Sequence, residues 1–106
     1  MPFFFCRMNP PRADFAHTMT DSERALMGQH ASYITALQEK GAVLLFGRVD
    51  DPNGRWGLGV LECADEAEAR IITTNDPVIR SGQGFSYDVT PMLEARLRNA
   101  PRLAQD

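Results

Sequence analysis

Residues 43–63, VLLFGRVDDPNGRWGLGVLEC, contain two apolar runs on either side of a cluster of turn-forming residues. The first run, over 42–49, is continuously apolar at its centre, and the second covers 56–63. Aspartate, proline, asparagine and glycine between the runs favour a turn, so we predict two antiparallel strands joined as a hairpin. Gly57 and Gly59 share one face of the second strand, which leaves room there for close packing or for a cavity.

A helix is predicted before the hairpin. Thr20 and Glu23 stand three residues apart, which is the spacing of a capping box at a helix start. Gly41 marks the end of the helix, because glycine readily adopts the backbone conformation that stops one. Between these points a histidine and four apolar or aromatic residues recur at helical spacing, so they form one stripe that faces the sheet. The stripe consists of Leu26, His30, Tyr33, Ile34 and Leu37.

A second helix is predicted after the hairpin. Asp65 is a good helix cap, and the helical pattern continues to about Thr74. A short helical turn then begins at Asp76-Pro77, because aspartate suits the cap and proline suits the first helical position.

The outer segments of the chain complete the unit. Residues 3–8 are rich in aromatic side chains, and residues 85–89 alternate between apolar and polar side chains, so both segments are predicted to be strands. Residues 9–19 carry two prolines and are predicted to form a loop. A last helix is predicted over 90–97.

The order strand, helix, strand, strand, helix, strand is typical of the ferredoxin-like βαββαβ fold, an α+β architecture. Its antiparallel sheet carries both helices on one face. The other face is also expected to be apolar here, because the strands have apolar residues on both sides. A monomer rarely exposes such a surface, so we expect a second copy to cover it, giving a homodimer in the form of a dimeric α+β barrel.

Composition and charge limit the classes of function. The 106 residues suffice for one domain, which we place at residues 1–98 with a polar C-terminal tail over 99–106. The formal net charge of -3 argues against nucleic acid as the partner, because phosphate binding needs a basic surface. No apolar run approaches the roughly 20 residues that span a bilayer, and the opening residues 1–6 lack the pattern of a signal peptide. We therefore expect a cytoplasmic protein without a membrane partner.

The cysteines and histidines give no sign of a metal centre. Cys6 and Cys63 are too few for a disulfide framework, and with the two histidines they lack the spacing of a zinc site. Both cysteines fall in predicted strands, which favours small core residues in a reducing compartment. We expect neither a metal nor an organic cofactor.

His30 and Asp76 are the first candidates for chemistry. A histidine on an apolar helical stripe either braces the helix against the sheet or acts as an acid and base near neutral pH. Asp76 is explained by helix capping alone, yet it could also orient His30 and stabilise its cationic form. Spacing does not show that the two side chains meet, although the fold allows it.

Two further residues could bind a substrate. Arg12 lies on a proline-containing loop, where its guanidinium could hold an anionic or phenolic oxygen or could pair with the acidic first turn of the helix. Tyr33 could hydrogen-bond a ligand, but an aromatic residue at core spacing is more often simply packed.

The helix segment MGQHASY (27–33), the strand VLLFG (43–47) and the pair Asp76-Pro77 together resemble the YCII-related, or YciI-like, family. The stretch PRADF (11–15) with Met19-Thr20 resembles a subgroup with an extended first loop. The resemblance implies a ferredoxin-like fold, a dimeric α+β barrel and an active site with a histidine–aspartate dyad.

The dyad implied by the resemblance falls on His30 and Asp76. One position departs from the family pattern, because many relatives have Gly-Pro where this chain has Gly47-Arg48. The Arg48 side chain is therefore a further candidate for substrate binding, with an orientation into solvent near Asp50 as the alternative.

We expect a cofactor-independent enzyme with lyase, dehydrochlorinase or isomerase type chemistry on a small ring or enolisable compound. His30 is expected to be the acid and base, Asp76 to orient it, and Arg12, Tyr33 and Arg48 to bind substrate. A non-catalytic homodimer that binds a small ligand or has an accessory role is the alternative. A third possibility is a cofactor-free or haem-linked oxygenase, since related dimeric barrels host such activities.

Overall fold

A computed structural model of the protein describes residues 1–98. The predicted tail over 99–106 lies outside the described residues. Four strands and four helices follow one another along the chain: β1 (Phe3–Asn9), α1 (Phe15–Thr18), α2 (Asp21–Glu39), β2 (Val43–Val49), β3 (Trp56–Glu62), α3 (Glu66–Thr74), α4 (Pro77–Arg80) and β4 (Ser86–Pro91).

The strands form one sheet in the order β2-β3-β1-β4, with every neighbouring pair antiparallel. Cys6 at the centre of β1 lies opposite Gly59 of β3 on one side and Val89 of β4 on the other. The hairpin of β2 and β3 has an irregular register between Val43 and Leu45. The prediction of an α+β, ferredoxin-like fold with a four-stranded antiparallel sheet is confirmed.

One face of the sheet packs against the two longer helices and forms the core. Phe4 and Cys6 of β1 share a buried cluster with Ile34 of α2 and Ala69 of α3, so both helices lie on the same face. A second buried cluster joins the sheet to α1, α2 and α4. It consists of Met8, Phe15, Leu26, Val78 and Phe85.

Local signals set the ends of α2 as predicted. The Glu23 backbone N–H donates to the Thr20 hydroxyl, and the Thr20 backbone N–H donates to the Glu23 carboxylate, so the capping box is complete. At the other end Gly41 has a φ of 84°, a left-handed conformation in which glycine carries no steric penalty.

The prediction of a loop over residues 9–19 is partly wrong. It contains the short helix α1, whose Phe15 is buried and packs edge-on against Phe85 with ring centroids 5.2 Å apart. Burial of this aromatic ring holds the segment against the core, which turn chemistry alone does not predict.

The predicted last helix over 90–97 is wrong. β4 continues through Thr90 to Pro91, and the Met92 backbone N–H donates to the Phe3 carbonyl oxygen at 3.0 Å. No helix forms in residues 92–98. Pairing with β1 satisfies backbone groups along this segment, whereas a helix here would have no core in which to bury its apolar residues.

Both cysteines are free and buried, as predicted for core residues. Burial raises the pKa of the Cys6 thiol to about 12 and also raises the pKa of the Cys63 thiol. Within residues 1–98, no group of three histidine, cysteine, aspartate or glutamate side chains is arranged to hold a metal ion. The described helices include none with the length and apolar character needed to span a membrane.

The second face of the sheet carries large apolar side chains, as predicted. We call this surface the open face and define it by Phe5, Leu45, Trp56, Leu58 and Val60. Val60 lies between Phe5 and Leu45 across the strands, and 53% of Leu45 is exposed.

Candidate active site

Asp76 is fixed by its place at the start of α4. Its side chain accepts a hydrogen bond from the Val78 backbone N–H at 3.0 Å, and Pro77 occupies the first turn, as the sequence predicts. The residue is only 1% exposed. A carboxylate so deeply buried needs hydrogen-bond donors around it, because its desolvation is otherwise very costly.

His30 reaches Asp76 because α2 packs against α4. The His30 Nδ1 atom lies 2.7 Å from Asp76 Oδ2, although the two residues are 46 positions apart in the sequence. His30 is 6% exposed and lies on the buried stripe of α2. The structure therefore brings the two candidate catalytic residues into direct contact.

Tyr87 is a third member of this cluster, and its contact with Asp76 is not predicted from the sequence. It lies on β4 opposite Met8, and its hydroxyl donates to Asp76 Oδ2 at 2.7 Å. Burial raises the pKa of Tyr87, and the neighbouring Asp76 carboxylate raises it further, so the phenol stays protonated and acts as a donor. One feature of the sequence could have indicated this contact: Tyr87 lies on the apolar side of a predicted strand, and a buried tyrosine hydroxyl needs a hydrogen-bond partner.

The contacts of Asp76 favour one tautomer of the His30 ring. A carboxylate accepts hydrogen bonds, and Tyr87 already donates to Asp76 Oδ2, so the tautomer that satisfies both residues has Nδ1–H donating to Oδ2. The other nitrogen, Nε2, has no hydrogen-bond partner among residues 1–98. Every fully buried side-chain nitrogen or oxygen in the described part of the chain does have one, so Nε2 faces accessible space.

Phe46 borders the His30 ring at a centroid distance of 5.2 Å. The Phe46 ring packs over Gly57 and Gly59, where an added Cβ would lie 3.1 and 2.8 Å from the ring atoms. The absence of side chains at the two glycines therefore permits the close packing predicted for their shared face. It also lets the Phe46 ring lie beside the His30 imidazole.

His30 and Phe46 line a cleft of about 450 Å³ beside the edge strand β2. Most of its wall is apolar, including three methionine side chains, and two arginines also contribute. The full lining is Met8, Pro10, Phe15, Ala16, Met19, Met27, His30, Ala31, Ile34, Thr35, Gln38, Phe46, Gly47, Arg48, Arg55, Trp56 and Gly57. A cleft of this size and polarity suits a small, largely apolar molecule.

The three candidate substrate-binding residues lie in different places. Arg48 lines the cleft, on the same strand as Phe46. The Tyr33 hydroxyl instead donates to the Ile72 carbonyl oxygen at 2.6 Å, which ties α2 to α3. Burial raises the pKa of Tyr33, with a further contribution from the Asp76 charge, and the side chain is not part of the cleft lining.

Arg12 pairs with the first turn of α2, which is the second of its two expected roles. Its guanidinium makes two hydrogen bonds to the Glu23 carboxylate, at 2.7 and 2.8 Å, and two more to Thr18. Arg12 is not among the residues that line the cleft. Its pairing anchors the segment that carries α1.

The Arg12–Glu23 pair predicts an acid-sensitive contribution to stability. Hydrogen bonds from Arg12 lower the pKa of Glu23 to about 2, with a further bond from the Thr20 backbone. An unfolded glutamate has a pKa of about 4.3. The stabilisation is therefore complete above that pH and is lost as the pH falls toward 2. We expect the difference in thermal unfolding temperature between wild type and Arg12→Gln to shrink over this range.

The control for this titration is Arg24→Gln, which removes an arginine paired with the fully exposed Asp21. The unfolding temperature of Arg24→Gln is expected to stay close to that of wild type at every pH, because exposed ion pairs contribute little to stability. If the unfolding temperatures of wild type and Arg12→Gln differ by the same amount from neutral pH to about pH 2, the Arg12–Glu23 pair is not the source of the acid-sensitive stability.

Comparison with known proteins identifies a family and a solved structure of similar fold. The model of the YCII-related domain matches residues 3–93. No curated protein matches the sequence. The fold is similar to that of 5-chloro-2-hydroxyhydroquinone dehydrochlorinase from Burkholderia phenoliruptrix AC1100, solved in complex with 2,5-dihydroxybenzoquinone. The TM-score is 0.52 at 18% identity, over 94% of this chain and 96% of that one. With its match over nearly all described residues, the chain belongs to the YCII-related domain family.

Proposed function

We propose that the protein is a cofactor-independent enzyme that performs proton-transfer chemistry on a small ring or enolisable compound. Its reaction is of the lyase, dehydrochlorinase or isomerase type. The observation that carries this proposal is the His30 ring, which contacts Asp76 through Nδ1 at 2.7 Å and lines a mostly apolar cleft. This arrangement suits a general base that works near neutral pH.

In the proposed reaction, His30 Nε2 removes a proton from a carbon of the substrate that is acidified by a neighbouring carbonyl. The imidazolium that forms lies beside the Asp76 carboxylate, which stabilises its charge. Return of the proton to a different atom gives an isomer. Departure of chloride from the adjacent carbon with its bonding electrons gives elimination, and His30 then releases the proton.

Two observations favour ring compounds as the substrate class. The solved protein of similar fold is a dehydrochlorinase in complex with a hydroxylated quinone. Its fold resembles that of this chain, although only 18% of the residues are identical. The cleft offers Phe46 and three methionines, whose polarisable side chains pack well against aromatic rings.

The test uses the wild-type protein without oxygen, because hydroquinones oxidise readily. It is incubated with 5-chloro-2-hydroxyhydroquinone and with a panel of chlorinated or enolisable ring compounds in deuterated water. We expect chloride release or deuterium incorporation for at least one compound, faster than in buffer. If neither occurs with any compound although some of them bind, the non-catalytic ligand-binding alternative replaces this proposal.

We also propose that a second copy of the chain covers the open face. Sedimentation is expected to give twice the chain mass of 11.8 kDa for wild type. Val60→Lys places a charge at the middle of the open face, so the variant is expected to sediment as a monomer. Ile71→Lys is the matched control, because Ile71 is 61% exposed on α3 and away from that face. A monomeric wild type, or equal effects of both substitutions, would refute the proposal.

A further inference from the structure

We infer that the cleft selects substrates that carry a negative charge, and that Arg48 and Arg55 bind this charge. The substrate class is a small apolar ring with a carboxylate or phenolate group. The inference deepens the proposed function and rests on it for placing the reactive end of the substrate beside His30. The anion site itself is tested independently of turnover.

The first observation is the charge of the cleft lining. The chain carries 14 acidic residues and a net charge of -3. None of the described residues that line the cleft is an aspartate or a glutamate, while two of them are arginines. The charged side chains that line the cleft are therefore all positive in a protein whose overall charge is negative, and this arrangement favours entry of an anion.

The second observation is the state of Arg48. It lies on β2 opposite Gly57, on the helix-covered side of the sheet that also carries Phe46. Its side chain is exposed and makes no hydrogen bond or ion pair with any residue in the described range 1–98. All five of its N–H donors are available, and this planar group matches the geometry of a carboxylate.

The third observation is the position of Arg55 across the hairpin. Arg55 and Arg48 line the cleft together, and they also line an adjoining recess with Val49 and Asp50. Arg55 pairs with Asp50 at 3.3 Å, but 89% of the Asp50 side chain is exposed, so water weakens this pair. A ligand anion competes with Asp50 for Arg55 while it takes the free donors of Arg48.

The apolar wall and the arginines together define the ligand. The ring of the ligand packs against methionine and phenylalanine side chains, where burial of apolar surface is favourable. Its charge stays at the exposed end, where the two guanidinium groups form charge-assisted hydrogen bonds to it. A cation is repelled there, and a neutral ring gains only the apolar contacts.

The test measures binding of benzoate, benzamide and benzylammonium, which have similar shapes and charges of about -1, 0 and +1 at neutral pH. The reporters are the isotope-labelled methyl groups of the five methionines, observed by NMR. Met8, Met19 and Met27 line the cleft, while Met1 and Met92 are outside it and serve as internal references.

We expect benzoate to shift the three cleft methyl signals with about tenfold higher affinity than benzamide, and benzylammonium to bind weakest. In Arg48→Gln the benzoate affinity is expected to fall roughly tenfold while the benzamide affinity stays within about twofold. Arg24→Gln removes an equal charge from an exposed part of α2 outside the cleft, and it is expected to change neither affinity.

Equal affinities for benzoate and benzamide in wild type, or no shift of the cleft methyl signals with any probe, would overturn the anion site. That result leaves the role of His30 intact, because it concerns only how the substrate is held. Conversely, charge-selective binding that depends on Arg48, in a protein that turns over no compound, would support the anion site and reject the proposed enzyme.

Discussion

His30→Gln is expected to lower kcat by about 10²–10⁴-fold on any substrate that the wild type converts, because a glutamine amide cannot take up a proton. Glutamine is a suitable replacement because it is polar and can still donate to Asp76 Oδ2, which His30 Nδ1 contacts at 2.7 Å. The buried contact between α2 and α4 therefore keeps a hydrogen bond. The measurement is the initial rate of chloride release or deuterium incorporation.

The matched control is His17→Gln. His17 is the other histidine of the chain, lies exposed on α1 and does not line the His30 cleft. Its substitution is expected to leave the rate unchanged, while circular dichroism shows that both variants are folded. A folded His30→Gln with the wild-type rate would reject His30 as the base, and the buried imidazole would then be a brace between α2 and α4.

Asp76→Ala is expected to produce the largest loss of stability among single substitutions at the site. The lost helix cap costs about 1 kcal/mol, and each of the two donors left without its acceptor, on His30 and Tyr87, costs about 1–3 kcal/mol. The free energy of unfolding is therefore expected to fall by about 3–7 kcal/mol, measured by urea denaturation. This is a large share of the roughly 5–15 kcal/mol that stabilise an ordinary domain.

Asp65→Ala separates the two contributions. Asp65 also caps a helix, α3, by accepting from the Glu68 backbone N–H at 2.8 Å, but its side chain contacts no histidine or tyrosine. Its substitution is expected to cost only the cap, about 1 kcal/mol. If Asp65→Ala and Asp76→Ala destabilise the protein equally, the hydrogen bonds of Asp76 to His30 and Tyr87 contribute nothing to folding.

Features governed by neighbouring residues could be predicted from the sequence. The capping box of Thr20 and Glu23 depends on four consecutive positions, and the hairpin depends on a turn between two apolar runs. The alternation of side chains in β3 places Gly57 and Gly59 on one face of the strand, and the structure shows that this is the helix-covered face. These patterns suffice for the ferredoxin-like architecture, because few arrangements of such elements bury one common face.

Features governed by packing between distant segments could not be predicted. The contact of His30 with Asp76 requires α2 to lie against α4, and Tyr87 joins them from β4. The pairing of β4 with β1 likewise extends a strand where local pattern favours a helix. Arg12 had two possible roles, to bind a substrate oxygen or to pair with the first turn of α2, and only the fold shows the pairing with Glu23.

The two oxygens of Asp76 have different tasks, and this division constrains the evolution of the site. Oδ1 accepts from the first turn of a helix and Oδ2 contacts the imidazole, so we expect a single substitution to weaken the fold and, under the proposed function, to disturb the base as well. Selection for cellular protein level alone would already remove most variants at this position. At His30, by contrast, we expect the fold to tolerate a substitution that fits the space and still donates to Asp76 Oδ2. Selection for folding alone would thus retain the aspartate more strictly than the histidine.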